Sequence, residues 1–341
     1  MTEKSAKIQF GRNHLAVNSM ESALLIVLGA MVLVFSLINP LFISVGNIKS
    51  ILTMAAGTGI MAVGLSFVIL SGNFDFSIGS TLGITVVLVA KLINLEIAGS
   101  QLPLPVSLLA GIMIGLGIGL INGYLVSYVG INSIIVTLGT LSVFRGITYW
   151  VIIDNIPVHH GLFVGIGRYF IGDVIPANFI LWIGILILMY FFMRFTQAGR
   201  NMYLVGAHKT AAEFSGVDSR KTQMLSFVIS GCAASLGGII KLSQIGFSDS
   251  TFGIGYEFHI LVICVLGGIS LWGGRGNLMG VFISTLIIGS ISNGLVLADV
   301  EVNWREAFIG IILIGALLMD VLVTKRREMK RIKESRIGES K

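Results

Sequence analysis

Ten apolar stretches dominate this chain, near 22–38, 51–70, 76–93, 104–127, 131–153, 176–193, 224–242, 256–272, 278–298 and 304–324. Several approach the ~20 residues a helix needs to cross a hydrocarbon core of about 30 Å, and none shows the roughly ten-residue alternation of a barrel strand. In lipid, backbone donors and acceptors have no water to bond, so stretches of this kind dictate helices. The expected fold is therefore an all-α integral membrane protein with about ten transmembrane helices. The stretches 76–93 and 256–272 are the weakest, the second because it carries Glu257 and His259. A broken or re-entrant helix can replace either.

Composition agrees. Of the 341 residues 55% are hydrophobic and 12% charged, against about 25% charged in an ordinary soluble domain. That leaves too little polar material to coat a water-soluble enzyme, and too much apolar material for a disordered chain. The two cysteines, Cys232 and Cys264, sit inside apolar stretches and form neither a disulfide framework nor a metal-ligand pattern. Forty-three glycines and five prolines suit membrane helices that pack closely or break at defined points.

Charge sets the expected orientation. Basic residues gather at Lys4, Lys7 and Arg12, between Arg194 and Lys221, at Arg275 and in the tail from Lys325; Lys49, Lys91, Arg145, Arg168, Lys241 and Arg305 are the exceptions. Lys and Arg mark the cytoplasmic side of membrane proteins, and an even number of spans puts both termini on that side. These basic clusters flank apolar runs without interleaved aromatics, so they read as membrane anchors rather than a nucleic-acid surface. The amino terminus lacks a small-residue cleavage site and does not read as a signal peptide. The expected organisation is a cytoplasmic segment over 1–21, a transmembrane domain over 22–324 with an inner loop near 194–223, and a basic cytoplasmic tail over 325–341. The longest polar interruptions, 154–175 and 194–223, are too small for a nucleotide-binding fold, and G-x-x-x-x-G-K-[ST] is absent from the sequence. Any ATP use must come from a partner.

A few polar residues stand out. Asp75 lies between the second and third apolar stretches, in Leu70-Ser71-Gly72-Asn73-Phe74-Asp75-Phe76-Ser77-Ile78-Gly79. There its carboxylate has the amides of Ser77, Ile78 and Gly79 within reach as a cap or turn brace; a place in a solute path is the other reading. A second glycine-centred segment, Leu266 to Gly276, also follows one apolar run and opens another, and Asn122-Gly123 and Asn293-Gly294 recur later. Glycine breaks between repeats build midplane paths in transporters, but glycines also serve close helix crossings. Asn122 and Asn293 are read as interhelical hydrogen-bonding groups or as uncharged solute contacts. Glu257 is read as a satisfied carboxylate near the outer end of a span; with His259 two residues on, the pair cannot share a helix face. His159 and His160, in an outer loop with Asp154, do not suggest a metal site.

The inner loop Gly199 to Val217 contains a helix-like piece, with Thr210 placed as its cap, Glu213 three residues later as in a capping box, and Gly216 as its stop. It reads as a cytoplasmic docking knob or as a plain connector. At this point the chain resembles the permease subunits of ATP-binding-cassette importers for ribose and related monosaccharides, a group that includes permeases for xylose, arabinose, galactose and the signalling furanose autoinducer-2. The family pattern G-G-I-D-L-S-V-G appears as Gly72 to Gly79. The inner-loop pattern meets Gly199, Arg200, Gly206, Ala211, Ala212, Gly216 and Val217. The later patterns meet Gly255, Tyr256, Glu257, Leu266, Gly267, Gly268, Ser270, Gly273 to Gly276, and Asn293-Gly294-Leu295. Departures fall at Asn73, Phe76, His208, His259 and Ile269.

The resemblance implies the ten-helix importer fold and a subunit that is not itself an enzyme. It implies two permease chains, the same or homologous, with two cytoplasmic ATPase subunits that bind ATP and Mg, and a periplasmic or lipid-anchored solute-binding protein. The solute would be monosaccharide-like, and the setting a bacterial cytoplasmic (inner) membrane with its lipid. Coupling to the ATPase falls to Gly206, Ala211, Ala212, Glu213 and Gly216; Asp75, Asn122, Glu257 and Asn293 are the structural or solute-path candidates. No cofactor or metal is expected on this chain. The alternative is a secondary transporter driven by a proton or sodium gradient, which would need an intramembrane ionisable site such as Asp75 or Glu257.

Overall fold

Each of the ten apolar stretches contains a helix in the computed structural model, which describes residues 3–97, 100–152, 154–301, 304–305, 307–318 and 321, with side chains from Met20 onward. The basic segment 325–341 lies outside the described residues. In order, the helices are α1 (Glu3–Ile38), α2 (Val45–Leu70), α3 (Ile78–Ile93), α4 (Leu104–Tyr124, continued as a π turn over Leu125–Val129), α5 (Ser133–Val151), α6 (Gly161–Gly167) and α7 (Ala177–Phe195). There follow α8 (Gln197–Ala207), α9 (Lys209–Phe214), α10 (Ser219–Ile245), α11 (Tyr256–Leu266), α12 (Leu278–Leu297) and α13 (Ala307–Leu318).

Local chemistry fixes where many of them begin. Ser44, Asn132, Thr196, Asp218 and Asn277 stand just before α2, α5, α8, α10 and α12, and each side chain accepts a first-turn amide. These residue types satisfy donors that a helix start leaves without partners.

Among the described residues seven helices are long and apolar enough to cross a membrane, and three shorter apolar helices, α3, α11 and the described part of α13, accompany them. The all-α membrane fold is as expected, and two of the ten expected spans, α3 and α11, are short. The reason is local. Residues 71–77 carry no helical turn, so α3 starts only at Ile78, and α11 stops at Leu266 because the chain turns at Gly267-Gly268. An 11-residue helix is only about 17 Å long, too short for a 30 Å core. The two stretches that looked weakest in the sequence are thus both broken.

Burial arranges the helices around a centre. The apolar windows of α2 and α10 are 78% and 72% buried inside the protein, against 6% for α1 and 17% for α5. α10 packs against α2, α3 and α4, and α2 reaches α7, α11 and α12 as well. Where α4 crosses α10, a Cβ on Gly115 would collide with the Gly231 carbonyl, so this crossing is closed by bare backbone. Small caps seal the end remote from α8 and α9. The strand pair Ile156–Pro157 and Phe247–Ser248 ties the loop after α5 to the end of α10, Arg168 donates to the Gln244 and Ile245 carbonyls at 3.1 Å each, and His160 caps α6.

Candidate functional site

The break between α2 and α3 is held by one buried polar network. Asp75 Oδ1 accepts from the Ser77 amide (3.0 Å) and the Ser77 hydroxyl (2.6 Å), while Oδ2 accepts from Ser230 of α10 (2.7 Å). Asn122 of α4 donates to Ser77 Oγ at 2.8 Å. The carboxylate thus braces the turn two residues on, and the amides of Ile78 and Gly79 are not its partners. Asp75 and Asn122, two separate candidates in the sequence, belong to one chain of hydrogen bonds across the lead-in to α3, α4 and α10. Alongside it, Ser71 meets Ser226 of α10 at 3.0 Å, and the Phe74 amide donates to Ser133 of α5 at 3.2 Å. Irregular backbone is tolerated at membrane depth only when protein groups replace water in this way. One acceptor in the network, Asn122 Oδ1, is buried without a hydrogen-bond partner.

Glu257 enters from the other side of α3. It sits in the first turn of α11, with Oε2 buried, without a hydrogen-bond partner, and placed where a Cβ on Gly79 would collide with it. The expectation of a satisfied carboxylate is corrected for that oxygen, because Gly79 offers no side chain to it. Nearby, Arg145 of α5 donates to the Phe252 carbonyl at 2.6 Å in the turn that leads into α11. The His259 ring stacks on Tyr256, 6.0 Å between centroids. Asn293, on α12, lies outside the Asp75 network; it is buried, and its Oδ1 has no hydrogen-bond partner.

The inner loop divides into a buried part and a presented part. Gly206, near the end of α8, lies against the end of α2, and a Cβ there would fall inside the Leu70 carbonyl. That same carbonyl accepts the Gly274 amide at 2.9 Å, and Tyr203 donates its hydroxyl to the Gly276 carbonyl at 3.1 Å. Burial pushes the Tyr203 phenol up to about 12, with Tyr190 adding to the rise, so it remains a donor at neutral pH. Three chain segments therefore meet backbone to backbone at Leu70, Gly206 and Gly274. Both glycine-centred segments also open with the same turn: the amide of Asn73 reaches back to Val68, and that of Ile269 to Cys264, each at 3.0 Å.

The presented part is α9. Its cap is His208, whose Nδ1 accepts the Ala211 amide at 3.3 Å, and not Thr210. Glu213 does not close a capping box either, because its carboxylate accepts the Ser219 hydroxyl and so braces α9 to the start of α10. His208, one of the departures from the family pattern, takes the capping, so the helix starts two residues earlier than the threonine suggested. Gly216, at φ +82°, closes the unit, with the Val217 amide returning to Ala212 at 3.0 Å. Ala211, Glu213 and Gly216 face outward, Ala212 faces inward, and Phe214 projects with 89% of its surface exposed.

Sequence reasoning gave no contact to Phe214 or Ser230, and singled out Arg145 and Lys241 only as exceptions to the charge pattern. A lone phenylalanine in a short polar helix was the available signal for the first, and a lysine inside the stretch 224–242 for the last. Ser230 carries none, since α10 is rich in small polar residues.

A membrane-spanning bundle with two broken helices and a separate presented helix is the frame of a transport permease, and the comparisons agree. The chain belongs to the family described as branched-chain amino acid transport system / permease component, which matches residues 47–317. It is similar to the ribose import permease protein RbsC of Haemophilus influenzae, 33% identical over 329 residues, covering 94% of this chain and 97% of the relative. It is likewise similar to the D-allose transport system permease protein AlsC of Escherichia coli, 31% identical over 302 residues (88% and 91% of the two chains). The autoinducer 2 import system permease protein LsrC of Salmonella typhi is 32% identical over 327 residues, 94% and 91% of the two chains. No solved structure matches.

Proposed function

We propose that this chain is the membrane subunit of an ATP-driven importer for a monosaccharide-like solute in a bacterial inner membrane, with both termini cytoplasmic. The relatives' names support the solute class, and their likeness extends over most of both chains. The observation that carries the mechanism is α9. A six-residue helix fixed by His208, Glu213 and Gly216 holds an almost fully exposed Phe214 outward, next to a backbone junction that touches the end of α2 and the loop before α12.

A cytoplasmic ATPase subunit that receives Phe214 can push or release this unit as it binds and hydrolyses ATP with Mg. The force passes through Gly206 to Leu70 and Gly274, where backbone meets backbone directly. Those two points are the last residue of α2 and the turn after α11, so both broken segments shift together. Differential contact of the ATPases with two states of the permease biases their populations. A second permease chain, the same or homologous, would complete the route, and a periplasmic or lipid-anchored binding protein would deliver solute. This chain holds no nucleotide and forms no covalent intermediate.

Docking is tested by co-purification of the cognate ATPases. Phe214→Ala and Ala211→Arg are expected to lower ATPase recovery by about tenfold or more while leaving membrane abundance unchanged, since both side chains are exposed. Full recovery of the ATPases with both variants would remove α9 from the docking surface.

A further inference from the structure

On α7 the residues Leu188, Phe191, Phe192 and Phe195 recur at i, i+3, i+4 and i+7, and so make one apolar stripe along the part of the helix that leads to α8. Leu188, Phe191 and Phe195 are exposed, and only 22% of the apolar window of α7 is buried inside the protein. The stripe is hollowed. Together with Thr196 these four side chains line a groove of about 590 Å³. Exposed apolar surface of this kind on a membrane-spanning helix faces lipid chains.

Two arginines gather at the α8 end of the groove. Arg194 lies over the rings of Tyr190 and Phe195, 6.0 and 5.9 Å from their centroids, and donates from Nη1 to the Tyr190 hydroxyl at 2.6 Å. Arg200, in the first turn of α8, donates from Nη1 to the Phe195 carbonyl at 3.3 Å. Phe195, itself a wall of the groove, thus carries one guanidinium on its ring and the other on its carbonyl. Both arginines are exposed. Each guanidinium has five N–H donors, and the hydrogen bonds to described residues use Nη1 alone. The donors that remain form the planar fork that matches a phosphate, and stacking on the rings holds the Arg194 fork in place beforehand.

We propose that this groove binds an anionic phospholipid, with its phosphate on Arg194 and Arg200 and an acyl chain along Phe192, Phe191 and Leu188. The order of the parts fits the helix. The guanidinium groups stand where the chain leaves the apolar span for α8, and the stripe runs from there for about 10 Å back along α7. A choline or ethanolamine headgroup would bring its own cation to the two arginines, so a headgroup with net negative charge is preferred. The lipid braces the corner between α7 and α8. It does so on residues other than Phe214, and the inference does not depend on which solute the permease carries.

The full chain is placed in phosphatidylcholine nanodiscs that contain, at equal mole fraction, a phosphatidylglycerol or a phosphatidylcholine probe with a photoreactive diazirine in its acyl chain, and adducts are mapped by peptide mass spectrometry. Adducts are expected within 188–196, at about tenfold or higher yield with the phosphatidylglycerol probe, since each arginine near the headgroups favours the anionic lipid. In Arg194→Gln/Arg200→Gln the two yields are expected to come within about twofold of each other. The preference is expected to persist in Arg220→Gln/Lys221→Gln, which removes the same two charges from the exposed start of α10. Leu188→Trp, which fills the groove, is expected to lower the yield with both probes. Equal yields from the two probes in the wild type, a preference that survives Arg194→Gln/Arg200→Gln, or one lost equally in Arg220→Gln/Lys221→Gln overturns the inference. So does the absence of adducts from 188–196 with either probe, which would assign the groove to a protein neighbour such as a second copy of the chain.

Discussion

Asp75 illustrates what one buried carboxylate does in an apolar bundle. It accepts three hydrogen bonds, two of them through Oδ1, and these replace the water that the turn 71–77 lacks. Asp75→Asn retains Oδ1 for Ser77, and the Ser230 hydroxyl can rotate to accept from the new amide. Asp75→Leu leaves an amide and two hydroxyls without their acceptor, at a cost of about 2–4 kcal/mol. Thermal unfolding in detergent is expected to rank the wild type and the asparagine variant close together and the leucine variant well below; uptake per inserted molecule should follow that order. Severe loss of uptake in a stably folded asparagine variant would show that charge itself is required. Gly206 gives a second case. Any Cβ there meets the Leu70 carbonyl, so Gly206→Ala is expected to cost about 1–3 kcal/mol and to reduce uptake without altering the surface of α9, as ATPase co-purification checks. Asp75 was legible in the sequence because a carboxylate between apolar runs requires an explanation. Its partner Ser230 was not, since serine is common in membrane helices and only the crossing of α10 over the turn selects it. For the same reason Lys241 reads in sequence as a residue near a span end, and only packing shows its burial.

At the scale of elements, the apolar stretches located the helices, while Ser44, Asn132, Thr196, Asp218 and Asn277 mark five of the starts. Helix lengths were less so. Leu266 and Gly267 continue an apolar pattern, and the end of α11 is decided by the turn at Gly268 and by the docking of the following loop on α8. At α9 the threonine pattern misled because His208 Nδ1 accepts a first-turn amide from a position two residues earlier. Gly216→Val places a β-branched residue at φ +82°, where L residues lose about 1–2 kcal/mol. Since nothing lies within 4 Å of the added Cβ, the effect is conformational. Hydrogen exchange is expected to rise in 208–217 and not in α10. The start of α10 carries a pH dependence. The Lys221 amide, foremost, and the Lys221 side chain hold Asp218 below its ordinary 3.8, so its contribution is complete above that value and fades as pH falls through the lower folded one. Asp218→Asn keeps the cap without titrating, so exchange protection of the first turn of α10 should lose its acid dependence in this variant. Unchanged acid sensitivity would place the titrating group elsewhere.

For the whole molecule, the central claim is that α9 receives the work of ATP hydrolysis and passes it through backbone contacts to two broken helices. The family assignment and the bundle agree on a transport permease. An intramembrane Asp75 or Glu257 would be the coupling site of a gradient-driven transporter, and Asp75 instead has its oxygens occupied by Ser77 and Ser230. The most direct measurement is uptake into proteoliposomes that contain the permease with its ATPases and binding protein, using radiolabelled ribose and allose, with and without ATP and with imposed proton or sodium gradients. The account predicts uptake that requires ATP, is indifferent to either gradient, and falls at least about tenfold with Phe214→Ala at equal insertion. Uptake by the permease alone down an ion gradient, with no ATPase present, would contradict it.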